Sequence, residues 1–402
     1  MAAQGHLISG GPEPAAEGAD LRRDLRLLSA ATFTSTLDRF TVPPLLLAIA
    51  REFGASLGEA AAVASAYFLF YGVTQLAWGI LSDSLGRVRL MRLALLGAAV
   101  AGILSALAPS LWLLVVARAL TGSLFGAVIP TSLVYVGDRV PVEHRQRALA
   151  DLVGANALAT ALATVGGGLA AALASWRVAF VVPALLAAGL AIMLARLPEP
   201  TPAGSAPPLT QMREVAGQPW AYVVVILVLI EGSFMFGLTA YFAPALESSG
   251  YSAAVAGLVV AVFGLGTLAW TRVLRLLTAR VAPPLLLALG ALLAGSGYVV
   301  VSLSRSAGAV LVASVLVSAC YAFTHTTLQT WATDVVPKAR ATMISFFATA
   351  LFVGSALGTQ AAAPLAAQDR YGLLFAIAAL IAFPLGLVGA FGRWRYARRA
   401  IS

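Results

Sequence analysis

Read along its length, the chain alternates between apolar runs and short breaks of proline, glycine or charge. Crossing about 30 Å of hydrocarbon takes about 20 apolar residues as a helix. Twelve runs fit, near 27–49, 60–81, 90–108, 111–135, 149–174, 177–197, 220–245, 253–276, 282–303, 307–332, 341–365 and 371–392. The pattern predicts an all-α membrane protein with twelve transmembrane helices. The longest non-apolar connector, "LPEPTPAGSAPPLTQMREVAGQP" at 197–219, divides the spans six and six. Its proline, alanine and glycine content suits a flexible linker between two bundles. The expected layout is an N-terminal tail 1–26, a bundle 27–197, a linker 198–219, a bundle 220–392 and a C-terminal tail 393–402. The first 26 residues lack an apolar core and are read as a cytoplasmic tail, without the layout of a cleavable signal peptide.

The two halves echo each other. "FYGVTQLAWG" (70–79) aligns with "VFGLGTLAWT" (262–271), and "VGDRVP" (136–141) with "ATDVVP" (332–337), at offsets of 192 and 196. Parallel six-helix repeats are the build of a large transporter class with its substrate path at their interface.

Composition agrees with the pattern. Of 402 residues, 60% are hydrophobic and 11% charged, where an average soluble protein carries roughly 25% charge. A net charge of +9 would suggest nucleic acid in a soluble chain, but here it reads as a topology signal and no nucleic-acid partner is expected. Of the 26 basic residues, 20 fall in the tails and connectors 2–3, 4–5, 6–7, 8–9 and 10–11. Four (Arg51, Arg177, Arg305, Arg370) fall in the alternate connectors, and Arg39 and Arg118 lie inside spans. That bias predicts both termini in the cytoplasm. The single cysteine, Cys320, rules out an internal disulfide, and nothing resembles a metal cluster.

The connector "GILSDSLGRVR" resembles the signature between helices 2 and 3 of the major facilitator superfamily, Gly–x–Leu–x–Asp–x–x–Gly–Arg–x–Arg/Lys. Gly79, Leu81, Asp83, Gly86, Arg87 and Arg89 match it. "RALTGSLFGAVIP" (118–130) is similar to the helix-4 signature of proton-coupled members, and "HTTLQTWATDVVPKARATMISFFATALFVGSALG" (325–358) to helices 10 and 11 of a bacterial efflux branch. In helix 5, "ATALATVGGG" keeps Gly167 and Gly168 but has Ala163 and Thr164 where drug antiporters carry a Gly–Pro pair. The resemblance implies two pseudo-symmetric bundles in a bacterial inner membrane. It also implies a gating role for the 2–3 connector, with Asp83 reaching the start of span 11. Arg87 would then tie the turn to Asp138, bonds available only when the cytoplasmic side is closed.

Ionisable side chains within a span cost about 2.5–3.5 kcal/mol on insertion scales. There are five, Asp38, Arg39, Arg118, Glu231 and His325, and they fall on spans 1, 4, 7 and 10, which line the cavity in the family. A carboxyl shielded from water favours its neutral form and releases its proton when wetted, which suits Glu231 and Asp38 to proton coupling. Adjacent residues on a helix point about 100° apart, so Asp38 and Arg39 cannot both face the cavity. Pro43 and Pro44 should kink the helix just beyond them. Arg118 could pair with a carboxylate, and the resemblance implies a proton-relay role for it. Histidine as a residue type can take and release a proton near neutral pH, and His325 centres a stripe of Tyr321, His325 and Gln329. Tyr67, Tyr71 and Gln75 form another at the same spacing. With Arg39 and Tyr241, the tyrosines and glutamines of these stripes are the candidate cavity lining.

The sequence reading is a secondary transporter, foremost a proton-coupled antiporter exporting small amphipathic compounds. The alternative is a proton-coupled importer or facilitator of a small polar or anionic metabolite. Neither His–Glu–x–x–His nor Gly–x–Ser–x–Gly occurs, so an enzyme is not expected, and no phosphate-cradling Gly–x–x–x–x–Gly–Lys–Ser/Thr motif suggests ATP drive. No cofactor is expected beyond the proton gradient. The expected partners are a small-molecule substrate, protons and the lipid bilayer, with the chain a monomer.

Overall fold

In a computed structural model the described residues, 14–200 and 207–399, are helical almost throughout and hold no strand. The helices are α1 (Pro14–Thr41, continued by Leu46–Glu52), α2 (Leu57–Val73 with Gln75–Leu85), α3 (Arg87–Ala106), α4 (Leu111–Arg139), α5 (Val142–Leu173) and α6 (Val178–Arg196). After the linker come α7 (Pro219–Ser248), α8 (Ala253–Leu277), α9 (Pro283–Leu303), α10 (Ala307–Val335), α11 (Pro337–Ala367) and α12 (Tyr371–Arg398). Among the described residues ten helices are long and apolar enough to cross a membrane, or eleven if the two parts of α2, bent by 47°, count as one span. The first expected span falls outside that measure. It carries Asp38 and Arg39 and is divided at Pro43 and Pro44, where a tight turn (Pro43–Leu45) replaces the α-helix, as prolines lacking an N–H require.

The repeat is written into the helix starts. Ser56, Ser110, Ser252 and Ser306 each accept a backbone N–H three residues on, opening α2, α4, α8 and α10. Ser56 and Ser252, and likewise Ser110 and Ser306, stand 196 apart, the larger of the two offsets seen in the sequence. At Ser56 the cap is reciprocal, with Glu59 Oε2 2.8 Å from the Ser56 nitrogen.

The two bundles meet along α2 against α11 and α5 against α8. The second contact depends on small residues. A Cβ on Gly257 would stand 2.3 Å from the Thr164 carbonyl oxygen, and one on Gly168 the same distance from that of Ala253. Backbones this close gain the dispersion contacts that drive helix association in lipid. With Ala163 and Thr164 in place of a Gly–Pro pair, α5 runs 32 residues without a break.

Part of the expected flexible linker is structured. Pro208–Ala216 forms a short helix whose Gln211 Oε1 accepts a hydrogen bond from Thr342 Oγ1 at 2.7 Å, docking it on the start of α11.

Candidate functional site

Each of the helices that carry the intramembrane charges loses its regularity midway. α4 is interrupted at Gly126–Ala127. α7 passes through a π-helical turn at Ser233–Gly237 and a 3₁₀ turn at Leu238–Tyr241, and α10 through a π turn at Tyr321–His325. With the break in α1, all four surround one cavity of about 180 Å³. Irregular backbone at membrane depth is tolerated where it lines such a space.

The cavity wall is aromatic with scattered polar groups. Phe40, Tyr71, Phe236, Phe263, Tyr321, Phe347 and Phe352 supply rings, and Thr36, Arg39, Gln75, Asn156, Thr160, Thr267, His325 and Gln329 supply polar atoms. Phe40 and Phe236 meet edge to face, centroids 5.3 Å apart. Beyond them Phe242–Ser248 packs on Pro43–Leu45, joining the bundles there. Toward the opposite, arginine-rich end, Leu133 and Val153 line the mouth and are 37% and 41% exposed.

Two carboxylate–base pairs flank this cavity. In the N-terminal bundle Arg118 grips Asp38 with two nitrogens, Nη1–Oδ1 at 3.0 Å and Nη2–Oδ2 at 2.8 Å, and Nη2 also reaches the Asp38 carbonyl at 3.3 Å. Both side chains are sealed, and the guanidinium lies between the faces of Tyr67 (4.5 Å) and Phe180 (4.6 Å). In the C-terminal bundle Glu231 Oε2 lies 3.2 Å from His325 Nδ1, while Oε1 faces the Cys320 thiol at 3.9 Å. The π turn brings Tyr321 flat onto the imidazole, centroids 4.8 Å apart, with Phe347 edge-on at 5.1 Å. Asp38 and Glu231 stand 231 − 38 = 193 positions apart, within the repeat offset. The carboxylates are repeat mates, each answered by a base three helices on.

Arg39 stands apart. The residue is 9% exposed, and its guanidinium lies 4.9 Å from the Phe40 ring, 5.2 Å from Tyr71 and 5.1 Å from Phe352 and donates through Nη2 to Thr36 Oγ1 at 3.4 Å. Among the described residues no carboxylate lies within ion-pair reach of it, and its Nε has no hydrogen-bond partner.

Of the residues expected to line the cavity, Arg39, Tyr71, Gln75, Tyr321 and Gln329 do, together with His325. Tyr67 does not, because it is taken up as the platform for Arg118. Nor does Tyr241, whose hydroxyl is spent on the Thr359 carbonyl at 2.6 Å, holding α7 to α11. Asp38 and Arg118 are recessed behind the wall, and Glu231 reaches the cavity only through His325. The expected choice between Asp38 and Arg39 is resolved with Asp38 turned to α4 and Arg39 to the cavity.

The 2–3 turn keeps the expected pair between Arg87 and Asp138 and adds one inside the turn. Asp83 Oδ1 lies 2.5 Å from Arg87 Nη1, within its own turn, and Arg87 Nε lies 3.3 Å from Asp138 Oδ2. Both pairs belong to the N-terminal bundle, so they hold α2, α3 and α4 together and do not report closure between bundles. The carboxylate that meets a helix N-terminus here is Glu199, which accepts from the Val88 and Arg89 nitrogens of α3 at 3.0 and 3.1 Å. Gly86, at φ +93°, turns the chain under it, and a Cβ there would stand 2.7 Å from Glu199 Cδ. Gly79 sits at the bundle interface, where an added Cβ would come within 3.8 Å of Ser345 Oγ. Sequence reading overlooked Glu199, though its place between Pro198 and Pro200 was visible, and the Asn156–Thr160 pair at four-residue spacing on α5.

Comparison with known proteins agrees with this architecture. The model of the Major Facilitator Superfamily matches residues 28–359. A protein of Pseudomonas aeruginosa named transcription regulatory protein OpdE is 32% identical over 277 residues, 66% of this chain and 69% of that one. The efflux pump dotC of Dothistroma septosporum is 31% identical over 38% of this chain and 26% of its own length. A protein of Helicobacter pylori named as a probable sugar efflux transporter is 27% identical over 60% of this chain and 62% of its own. The match thus spans less than two thirds of the latter two. A bacterial homologue of the human lysosomal transporter Spinster, solved inward-facing and unoccupied, superposes with a TM-score of 0.73 at 18% identity, covering 94% of this chain and 98% of that one. A D-xylose–proton symporter superposes at 0.70 with 16% identity, covering 89% and 96%. The chain belongs to the Major Facilitator Superfamily, a family of multi-pass membrane transporters rather than enzymes.

Proposed function

We propose that this protein is a proton-coupled secondary transporter that moves small amphipathic compounds through the central cavity by alternating access. One observation carries the reading: His325 stands on the cavity wall with its Nδ1 on the sealed carboxylate of Glu231. A proton entering from the cavity meets the imidazole first and shares a buried acid–base pair, so the loading of the pair depends on which side wets the cavity. The aromatic wall suits an apolar body, and the cavity's mouth at the arginine-rich end supports an inward-facing state with that end in the cytoplasm of a bacterial inner membrane. A single chain encloses the whole path, which supports a monomer.

Exchange of protons for exported compounds is the direction that the efflux-named relatives support. Uptake of an anion together with a proton is a second reading, favoured by Arg39. A cation without a carboxylate on the wall attracts an anion, and a proton and an anion favour each other's presence. The test is transport by the purified chain in liposomes under an imposed pH gradient, with neutral, cationic and anionic aromatic probes. Movement driven by the gradient and abolished by a protonophore supports coupling, and movement indifferent to both leaves a facilitator.

A further inference from the structure

We infer that the substrate is a small amphipathic anion, an apolar or aromatic body bearing one carboxylate or comparable oxyanion, and that Arg39 is the residue that selects it. The inference deepens the second reading above and rests on the cavity being the substrate path.

Three observations on different parts of the molecule converge. First, the Arg39 guanidinium is caged by the Phe40, Tyr71 and Phe352 rings, with Thr36 as its one hydrogen-bond acceptor. A guanidinium offers five N–H donors in a planar fork that matches an oxyanion. Rings around it hold its orientation and accommodate an apolar ligand, but they do not discharge it. Second, the other intramembrane charges are already spent. Arg118 holds Asp38, and His325 covers Glu231. Among the described residues no carboxylate lines the cavity, so a cationic amine would meet Arg39 with nothing to offset it. Third, a cleft between α1 and α5 at the arginine-rich end is lined by Arg22, Arg26, His144 and Arg147, with Asp151 as its one carboxylate. Arg22, Arg26 and Ser29 precede Thr36 at helical spacing, and Arg147 and Gly154 precede Ala157 in the same way. The faces of α1 and α5 that carry the basic cleft therefore continue into the cavity wall. A cleft of net positive charge raises the local concentration of anions and speeds their arrival.

The experiment uses the full chain in detergent and three shape-matched probes: 2-naphthoate, 2-naphthamide and 2-naphthylmethylammonium. Calorimetry should show the carboxylate binding at least about tenfold tighter than the amide, the scale of a charge-assisted hydrogen bond, with the cation weakest. Arg39→Gln should erase that advantage, so that carboxylate and amide bind alike, and Arg39→Lys should keep most of it, serving as the folded comparison. Arg22→Gln with Arg147→Gln should slow association of the carboxylate several-fold at low salt and leave its dissociation rate unchanged. The inference is overturned if the carboxylate holds no advantage over its amide, if the cation binds best, or if Arg39→Gln leaves the preference intact. Proton movement, read separately in liposomes, separates the two proposals. Arg39-dependent movement of naphthoate without protons keeps the anion and removes the coupling. Proton-driven movement of the amide or the cation alone keeps the coupling and removes the anion.

Discussion

Asp38→Asn breaks the most completely buried ion pair in the molecule, and the outcome can be sized from its geometry. Arg118 is wholly buried and makes three contacts to Asp38, two of them to the carboxylate. Its remaining neighbours are the Tyr67 and Phe180 rings, and its Nε has no hydrogen-bond partner. Removing the charge but not the bulk of Asp38 leaves a guanidinium with nothing to neutralise it. Breaking such a pair in a soluble core costs about 3–5 kcal/mol. In lipid the separated helices also find partners, and single hydrogen bonds there average roughly 0.6 kcal/mol. A loss of about 2–4 kcal/mol is therefore expected, or roughly 30- to 1000-fold in the unfolding constant. The assay is unfolding by titration with a denaturing detergent, followed by intrinsic tryptophan fluorescence. The decisive comparison is Asp38→Asn combined with Arg118→Met, which removes both charges and should recover most of the loss. A double variant as unstable as the sum of the single ones would refute the reasoning, since the pair would then contribute through packing alone.

Other outcomes follow from the same geometry. Gly122→Val should separate α2 from α4 and abolish folded protein on size-exclusion chromatography, because even a Cβ there would stand 2.4 Å from the Tyr67 carbonyl oxygen. Glu199→Ala should cost about 0.5–2 kcal/mol in the same unfolding titration by uncapping α3, and a loss confined to transport would point to a gating role for Glu199 instead. His325→Phe should keep the stack on Tyr321 and the fold while uncoupling transport from the pH gradient, and unchanged gradient-driven uptake would remove His325 from the proton path.

Much of the architecture was legible in the sequence because lipid is a demanding solvent. Apolar run length set the helices. A bend at Pro43–Pro44, which the structure carries through to a break, and the pairing of a carboxylate with Arg118 followed from the chemistry of those residues. What could not be read was which face each helix turns inward. Tyr67 and Tyr71 share a stripe, yet the first is consumed by Arg118 while the second reaches the cavity. The π turn in α10, which stacks Tyr321 on His325, leaves no mark on hydrophobic spacing. The resemblance implies that Asp83 reaches the start of span 11, and nothing in the spacing shows that Arg87, four residues on, pairs with it. Glu199 was hidden because a lone acid in a proline-rich connector says nothing of the helix start it will cap.

The claim on which the account depends is that the Glu231–His325 pair carries the coupling proton. The most direct measurement reconstitutes wild type and Glu231→Gln in liposomes, imposes a pH gradient, and follows the naphthyl probes and internal pH together. If the pair carries the proton, wild type accumulates a probe against its own gradient with matching proton movement, while folded Glu231→Gln only equilibrates it. Accumulation by Glu231→Gln equal to wild type, or wild-type movement that ignores the pH gradient, would contradict it.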